Sequence, residues 1–136
     1  MKEISFSIPI KPQGKARPRF TKTGHAYTPK NTRDYEKAIE LSAQQAMGGK
    51  VPLECALRVT IKAVFEPPRS WSKTKRAGFI AFSYPHDKKP DCDNIAKAAL
   101  DAMNGIVFLD DKQIAELIVR KTYGAADRVT VVVQPL

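Results

Sequence analysis

The chain has very little from which to build a soft-metal or thiol site. Cysteine occurs only at Cys55 and Cys92 and histidine only at His25 and His86, with no C-x-x-C spacing. A zinc ribbon needs clustered ligands and a disulfide framework needs matched pairs, so neither is expected. A reducing, cytoplasmic setting is the corresponding expectation. No apolar run approaches the ~20 residues that cross a bilayer, and Met1-Lys2-Glu3-Ile4 reads as the start of a strand rather than a signal peptide. Negative charge is also scarce: 14 Asp+Glu stand against 23 Lys+Arg, a formal charge of +9. Such an excess calls for a polyanionic partner, nucleic acid ahead of a membrane surface.

What the chain does contain is one domain's worth of core, at 136 residues and 43% hydrophobic. It also contains one concentrated acidic spot. Lys88-Lys89-Pro90-Asp91-Cys92-Asp93-Asn94-Ile95-Ala96-Lys97 runs on through Asp101 and Gly105 to Asp110-Asp111. Pro90 disfavours helix at Lys89, so the chain should reach Asp91 extended. Asp93 then reads as an N-cap, the alanine-rich stretch Asn94 to Met103 as a helix, and Gly105 as its C′ residue. Two residues apart on an extended approach, Asp91 and Asp93 point to one side. Lys97 lies one turn beyond Asp93 and can lean back over the same point.

Helix capping explains some of this. A capping Asp contributes roughly 1 kcal/mol, and a second acid near the helix N-terminus roughly 0.3–1 kcal/mol. If Asp110-Asp111 converge on Asp91 and Asp93, each carboxylate pair at ~4 Å repels by roughly 4 kcal/mol at an effective dielectric of ~20. Capping cannot offset that, and a cation would be required. The residues alone leave both readings open.

The longer pattern is more specific. Asp91-x-Asp93-Asn94-x-x-Lys97-x-x-x-Asp101-x-Met103-x-Gly105, followed by Asp110-Asp111-x-Gln113-Ile114, resembles the signature of the RusA family of Holliday-junction resolvases. Gly14-Lys15-Ala16-Arg17-Pro18-Arg19-Phe20 and Tyr27-Thr28-Pro29 agree more loosely, and residues 50–87 are the least distinctive. The resemblance implies a small homodimeric endonuclease of phage or prophage type that nicks four-way DNA junctions symmetrically. It implies Mg²⁺ as cofactor, with Mn²⁺ as a substitute, held by Asp91, Asp93 and one of the later pair, Asp111 in preference to Asp110. Lys97 would then steady charge on the phosphate or orient the water, and Asn94 would support a ligand carboxylate.

Along the rest of the chain, Ile4 to Ile10 alternates as a half-buried strand. Residues 11–25 are a basic loop in which Lys11, Lys15, Arg17, Arg19 and Lys22 have no acidic counterweight, which suits phosphate contacts. Phe20 and Tyr27 either pack under it or stack on exposed bases, core packing being the preferred reading. Thr28-Pro29 offers an N-cap with proline at N1 for a helix to Met47, its buried stripe made by Tyr35, Ala38, Ile39, Ser42, Ala43 and Ala46. Cys55 to Phe65 is the clearest strand. Residues 69–79 join basic side chains, Arg69 and Lys73 among them, to the only tryptophan, either as a flap over DNA or as a short helix tucking Trp71 into the core. His86 is expected at the surface or behind a ligand, and Lys88 and Lys89 flank the acids as further DNA contacts. Residues 113–123 and 128–133 read as strands paired in a hairpin around 124–127.

The expected fold is α+β: a single domain spanning 1–136 with a mixed sheet and two packed helices, in the order β-α-β-α-β-β. The expected function is a metal-dependent, structure-selective endodeoxyribonuclease acting on branched DNA in recombination and repair. A non-catalytic binder of structured nucleic acid, whose acids merely cap a helix, is the competing reading, and a nuclease for other branched substrates is the third.

Overall fold

The computed structural model describes residues 3–136, so the expectation for Met1 and Lys2 lies outside it. Its centre is β4 (Leu57–Phe65), in which Leu57, Val59, Ile61, Ala63 and Phe65 are all buried. That strict alternation is what a strand with one face on a core requires. β4 is flanked by β5 (Ile114–Tyr123), which runs parallel to it, and by β6 (Arg128–Pro135), which runs antiparallel. β1 (Ile4–Ile8) pairs with the far side of β6, giving the order β1-β6-β4-β5.

The expected hairpin is therefore incorrect: β5 and β6 do not pair with each other, and β4 lies between them. Their connection steps over the end of β4, where Gly124 N–H donates to the Phe65 carbonyl and Glu66 N–H to the Asp127 carboxylate. Four residues reach roughly 13 Å, enough to cross two strand spacings of ~4.8 Å. Inserting β4 satisfies both edges of the most apolar strand, which a local hairpin would leave half open.

All three helices lie on the same side of this sheet as the buried residues of β4. α1 (Lys30–Met47) packs on β1 and on α3 (Cys92–Met103), and α3 packs on β5. Pro29 is the N-cap of α1 rather than its first residue, with no side-chain cap, and Gly48 ends the helix in the left-handed region at φ 57°. The buried stripe of α1 is Thr32, Tyr35, Ile39, Ala43 and Met47, the row that a 3.6-residue repeat places on one face. Ala38, Ser42 and Ala46 flank it, half-buried. α3 buries Ile95, Ala98, Ala99, Ala102 and Met103, and full burial of Ile95 or Met103 is worth about 1.5–3 kcal/mol each.

A third helix, α2 (Lys73–Ala81), supplements the two expected. Ser72 caps it by accepting from Lys75 N–H. Trp71 packs edge-on against Phe79 and tilted on Tyr123, with the Lys75 ammonium 3.9 Å from its ring. The core-tucked reading of Trp71 is the one realised. A small ribbon, β2 (Arg19–Phe20) with β3 (Ala26–Tyr27), also forms within the basic loop. Phe20 and Tyr27 are 69% and 47% exposed there, so the expectation that they sit in the core is corrected. Two-residue strands bring too little chain inward to bury them.

Candidate active site at the ends of helix α3

The N-terminus of α3 is where the signature residues gather. Asp91, not Asp93, is the N-cap: its φ/ψ of −70°/153° is extended and its carbonyl accepts from Ile95 N–H at 3.0 Å. The expected capping role of Asp93 is thus corrected by two positions; Asp93 lies inside the first turn. The Asp91 side chain makes no capping hydrogen bond. Both carboxylates are exposed and neither enters an ion pair among the described residues. In a chain with this excess of lysine and arginine, two adjacent unpaired acids at one helix end are held chiefly by the helix dipole.

The basic loop lies over this turn. Lys15 N–H donates to the Asn94 carbonyl at 3.0 Å, and a Cβ on Gly14 would come within 2.9 Å of Asn94 Cβ and 3.1 Å of Pro90 Cβ. Glycine is what lets the loop backbone approach. The result is a shallow groove lined by Lys15, Ala16, Arg17, Pro18, Asn94 and Lys97. Lys97 is exposed and leans away from Asp93, its ammonium 3.8 Å from Asp101 Oδ2. Arg17, Arg19, Lys11 and Lys22 are exposed, as a phosphate-contacting set must be.

Lys15 departs from its expected role. Its ammonium donates to both oxygens of Glu36, at 2.7 and 3.0 Å, and lies 3.2 Å from Asp101 Oδ2. The loop therefore has an acidic counterweight, supplied from α1 and α3 rather than from neighbours in sequence. Burial alone would push the Lys15 pKa down, but the hydrogen bonds and charges of Glu36 and Asp101 outweigh it and hold the pKa above 10.5. Of the other expected contacts, Arg69 is exposed and 3.7 Å from Glu66, Lys88 is 3.7 Å from Asp87, and Lys73 and Lys89 are exposed. His86 is half-buried and stacks on Phe65 with ring centroids 3.7 Å apart.

The second acidic pair sits at the other end of the helix. After Met103 the chain turns through Gly105 and buries Val107 and Phe108, and Leu53 N–H donates to the Val107 carbonyl. Asp110 then caps a single 3-10 turn, Asp111–Gln113, by accepting from Lys112 N–H at 2.9 Å. Gln113 completes the capping box: its oxygen accepts from Leu109 and Asp110 N–H, and its amide donates to the Leu53 and Cys55 carbonyls. This role of Gln113 has a signal in the sequence, an acid followed three residues later by glutamine. The Lys112 N–H holds the Asp110 carboxyl below its ordinary 3.8, against slight desolvation and with help from a hydrogen bond shared with Asp111 and from the Lys112 charge. Both carboxylates are exposed, but Asp110 is occupied in the turn, while the Asp111 side chain accepts from no backbone N–H among the described residues.

The two acidic groups do not meet within one chain. Twelve residues make α3 roughly 18 Å long. Cys92, at its start, lies against the Val119 carbonyl, five residues into β5, while Asp111 precedes the first residue of that strand. Among the described residues no three acidic, histidine or cysteine side chains cluster closely enough to hold a metal. The donor chemistry nonetheless suits a hard cation: hard carboxylate oxygens, exposed and without ion-pair partners.

A basic α+β domain with unpaired acids beside a groove of lysine and arginine defines a nucleic-acid-processing protein. The model of the family described as "Endodeoxyribonuclease RusA" matches residues 9–134. The chain belongs to this family of Holliday-junction-resolving endonucleases. It is also similar to an uncharacterized protein of Bacillus subtilis (strain 168), YqaN, at 27% identity over 136 residues, covering 96% of this chain and 95% of that one.

Proposed function

We propose that the protein is a Mg²⁺-dependent homodimeric resolvase that introduces paired symmetric nicks into four-way DNA junctions during recombination and repair. The observation that carries this reading is the placement of unpaired Asp91 and Asp93 at one end of α3 and of Asp111 at the other. Since one chain cannot bring them together, a two-fold partner supplies the missing half: Asp91 and Asp93 of one protomer with Asp111 of the other. Two such sites related by a dyad match a substrate with two equivalent strands to cut.

A divalent ion held by these carboxylates would offset charge on the scissile phosphate and lower the pKa of attacking water. The chain's own residues do the rest. Lys97, exposed and only loosely held by Asp101, is free to reach a non-bridging phosphate oxygen. Asn94, under the Gly14 crossing, steadies the first turn from which both acids project. Arg17 and Arg19 meet the backbone of an arm beside the groove, with Lys11, Lys22, Arg69, Lys73, Lys88 and Lys89 further out. Lys15 fastens the loop rather than touching DNA. Asp93→Asn tests the assignment: junction affinity in EDTA should stay near wild type while cleavage in Mg²⁺ disappears, and retained cleavage would sink it.

A further inference from the structure

The helices cover only one face of the sheet. On the other, side chains alternate away from the core, and the register sets Lys62 of β4 beside Arg120 of β5 on one side and Thr130 of β6 on the other. Arg128 follows diagonally, its guanidinium donating to Ser7 Oγ at 2.7 Å, and Ser7 in turn bonds Thr130 at 2.9 Å. Lys62, Arg120 and Arg128 are exposed and have no carboxylate partner among the described residues. Two carboxylates lie here: Glu116, engaged by Arg58, and Glu3, hydrogen-bonded by Gln134. The face carries the shallow groove between β4, β5 and β6.

We infer that this open sheet face is a second DNA surface, holding the phosphate backbone of a duplex arm after it leaves the cut site. The inference rests on the reading of the protein as a junction nuclease. Three features specify the occupant. Lysine, arginine, serine and threonine are side chains that contact phosphate and sugar, and they occupy the stretch from Arg120 through Lys62 and Thr130 to Ser7 and Arg128. It presents no aromatic ring, since Phe6 and Tyr123 belong to the helix side, so it lacks what captures unstacked single strands. A second copy packed here would oppose Lys62, Arg120 and Arg128 with their own equivalents, and Ile118, 39% exposed, with the half-buried Val64 and Val132, is the apolar area offered in return.

The surface is also continuous with the active site. Cys92, between Asp91 and Asp93, touches the Val119 carbonyl across the edge strand. Arg120, the next residue, projects to the opposite face. An arm leaving the acids over the β5 edge thus meets Arg120 first, then Lys62.

The test is junction binding in EDTA as a function of salt, for wild type, Lys62→Ala/Arg120→Ala, and a control, Lys37→Ala/Lys50→Ala, that removes equal charge from the helix side. The first double variant should bind roughly tenfold more weakly with a log–log salt slope shallower by about 2, one for each phosphate no longer neutralised, and the control should change less in both respects. Single Arg120→Gln, with half the change in slope, covers misfolding of the double variant, and melting temperature checks each protein. Equal effects in both doubles, unchanged affinity, or altered sedimentation of the free protein would overturn the inference. Wild type assayed with Mg²⁺ separates the two ideas: binding that responds as expected without any cut supports the surface and contradicts the nuclease, whereas failure to bind DNA overturns both.

Discussion

At Lys15 one ammonium joins the loop after β1 to α1 and α3 through Glu36 and Asp101. Lys15→Met should lower stability by about 1–2 kcal/mol, because it leaves two half-buried carboxylates short of a donor, and should do so more than Arg17→Met does. Chemical denaturation of both variants checks the order. Because the folded pKa is raised, the ion pairs' contribution is complete at neutral pH and fades only as pH climbs past 10.5. The wild-type advantage over Lys15→Met should therefore be flat through neutrality and shrink in strong alkali. Asp110 and Asp111 divide their work in a similar way. Asp110→Asn keeps an acceptor for Lys112 N–H, and cleavage should stay within about tenfold of wild type; Asp111→Asn should lose about 100-fold or more, the scale set by damage to a metal site. Initial rates on a junction substrate compare them, and equal losses would contradict the assignment. The spacing of Asp91, Asp93 and Lys97 placed them on the first turns of one helix, where they lie. The partners of Lys15 were not legible, since Glu36 is 21 residues away and Asp101 lies at the far end of another helix, and no local pattern encodes such a crossing.

At the scale of elements, α3 acts as a ruler that keeps the acids apart. Mixing Asp93→Asn with Asp111→Asn protein, each inactive alone, should restore cleavage, because a mixed dimer has one site built from an intact Asp93 and an intact Asp111. The restored product should be a single nick per junction rather than a pair. No recovery under conditions of subunit exchange would show that each site lies within one chain. Gly14→Ala probes the other support of α3: the added methyl would press on Asn94 and Pro90, push the loop off the first turn, and lower cleavage more than global stability. β4 and α3 were legible because their periods of 2 and 3.6 are unbroken. The neighbours of β5 were not, because pattern identifies a strand but not its partner, and chain adjacency suggested the wrong one. The short α2 was harder to see, with no residue of its own buried and its anchor, Trp71, outside it.

At the scale of the whole molecule, an excess of cations surrounds unpaired acids that lie at opposite ends of one helix. Affinity for DNA should fall steeply with salt whatever the chemistry, so binding alone does not distinguish a resolvase from a passive binder. Metal-dependent cutting of a branched substrate does. The decisive measurement is incubation of the protein with an end-labelled synthetic four-way junction and with a linear duplex of the same sequence, each in Mg²⁺ and in EDTA. Paired, symmetric nicks on the junction alone, only with Mg²⁺, are the expected result. Tight binding with no cuts under any condition, or equal cutting of the linear duplex, would contradict it.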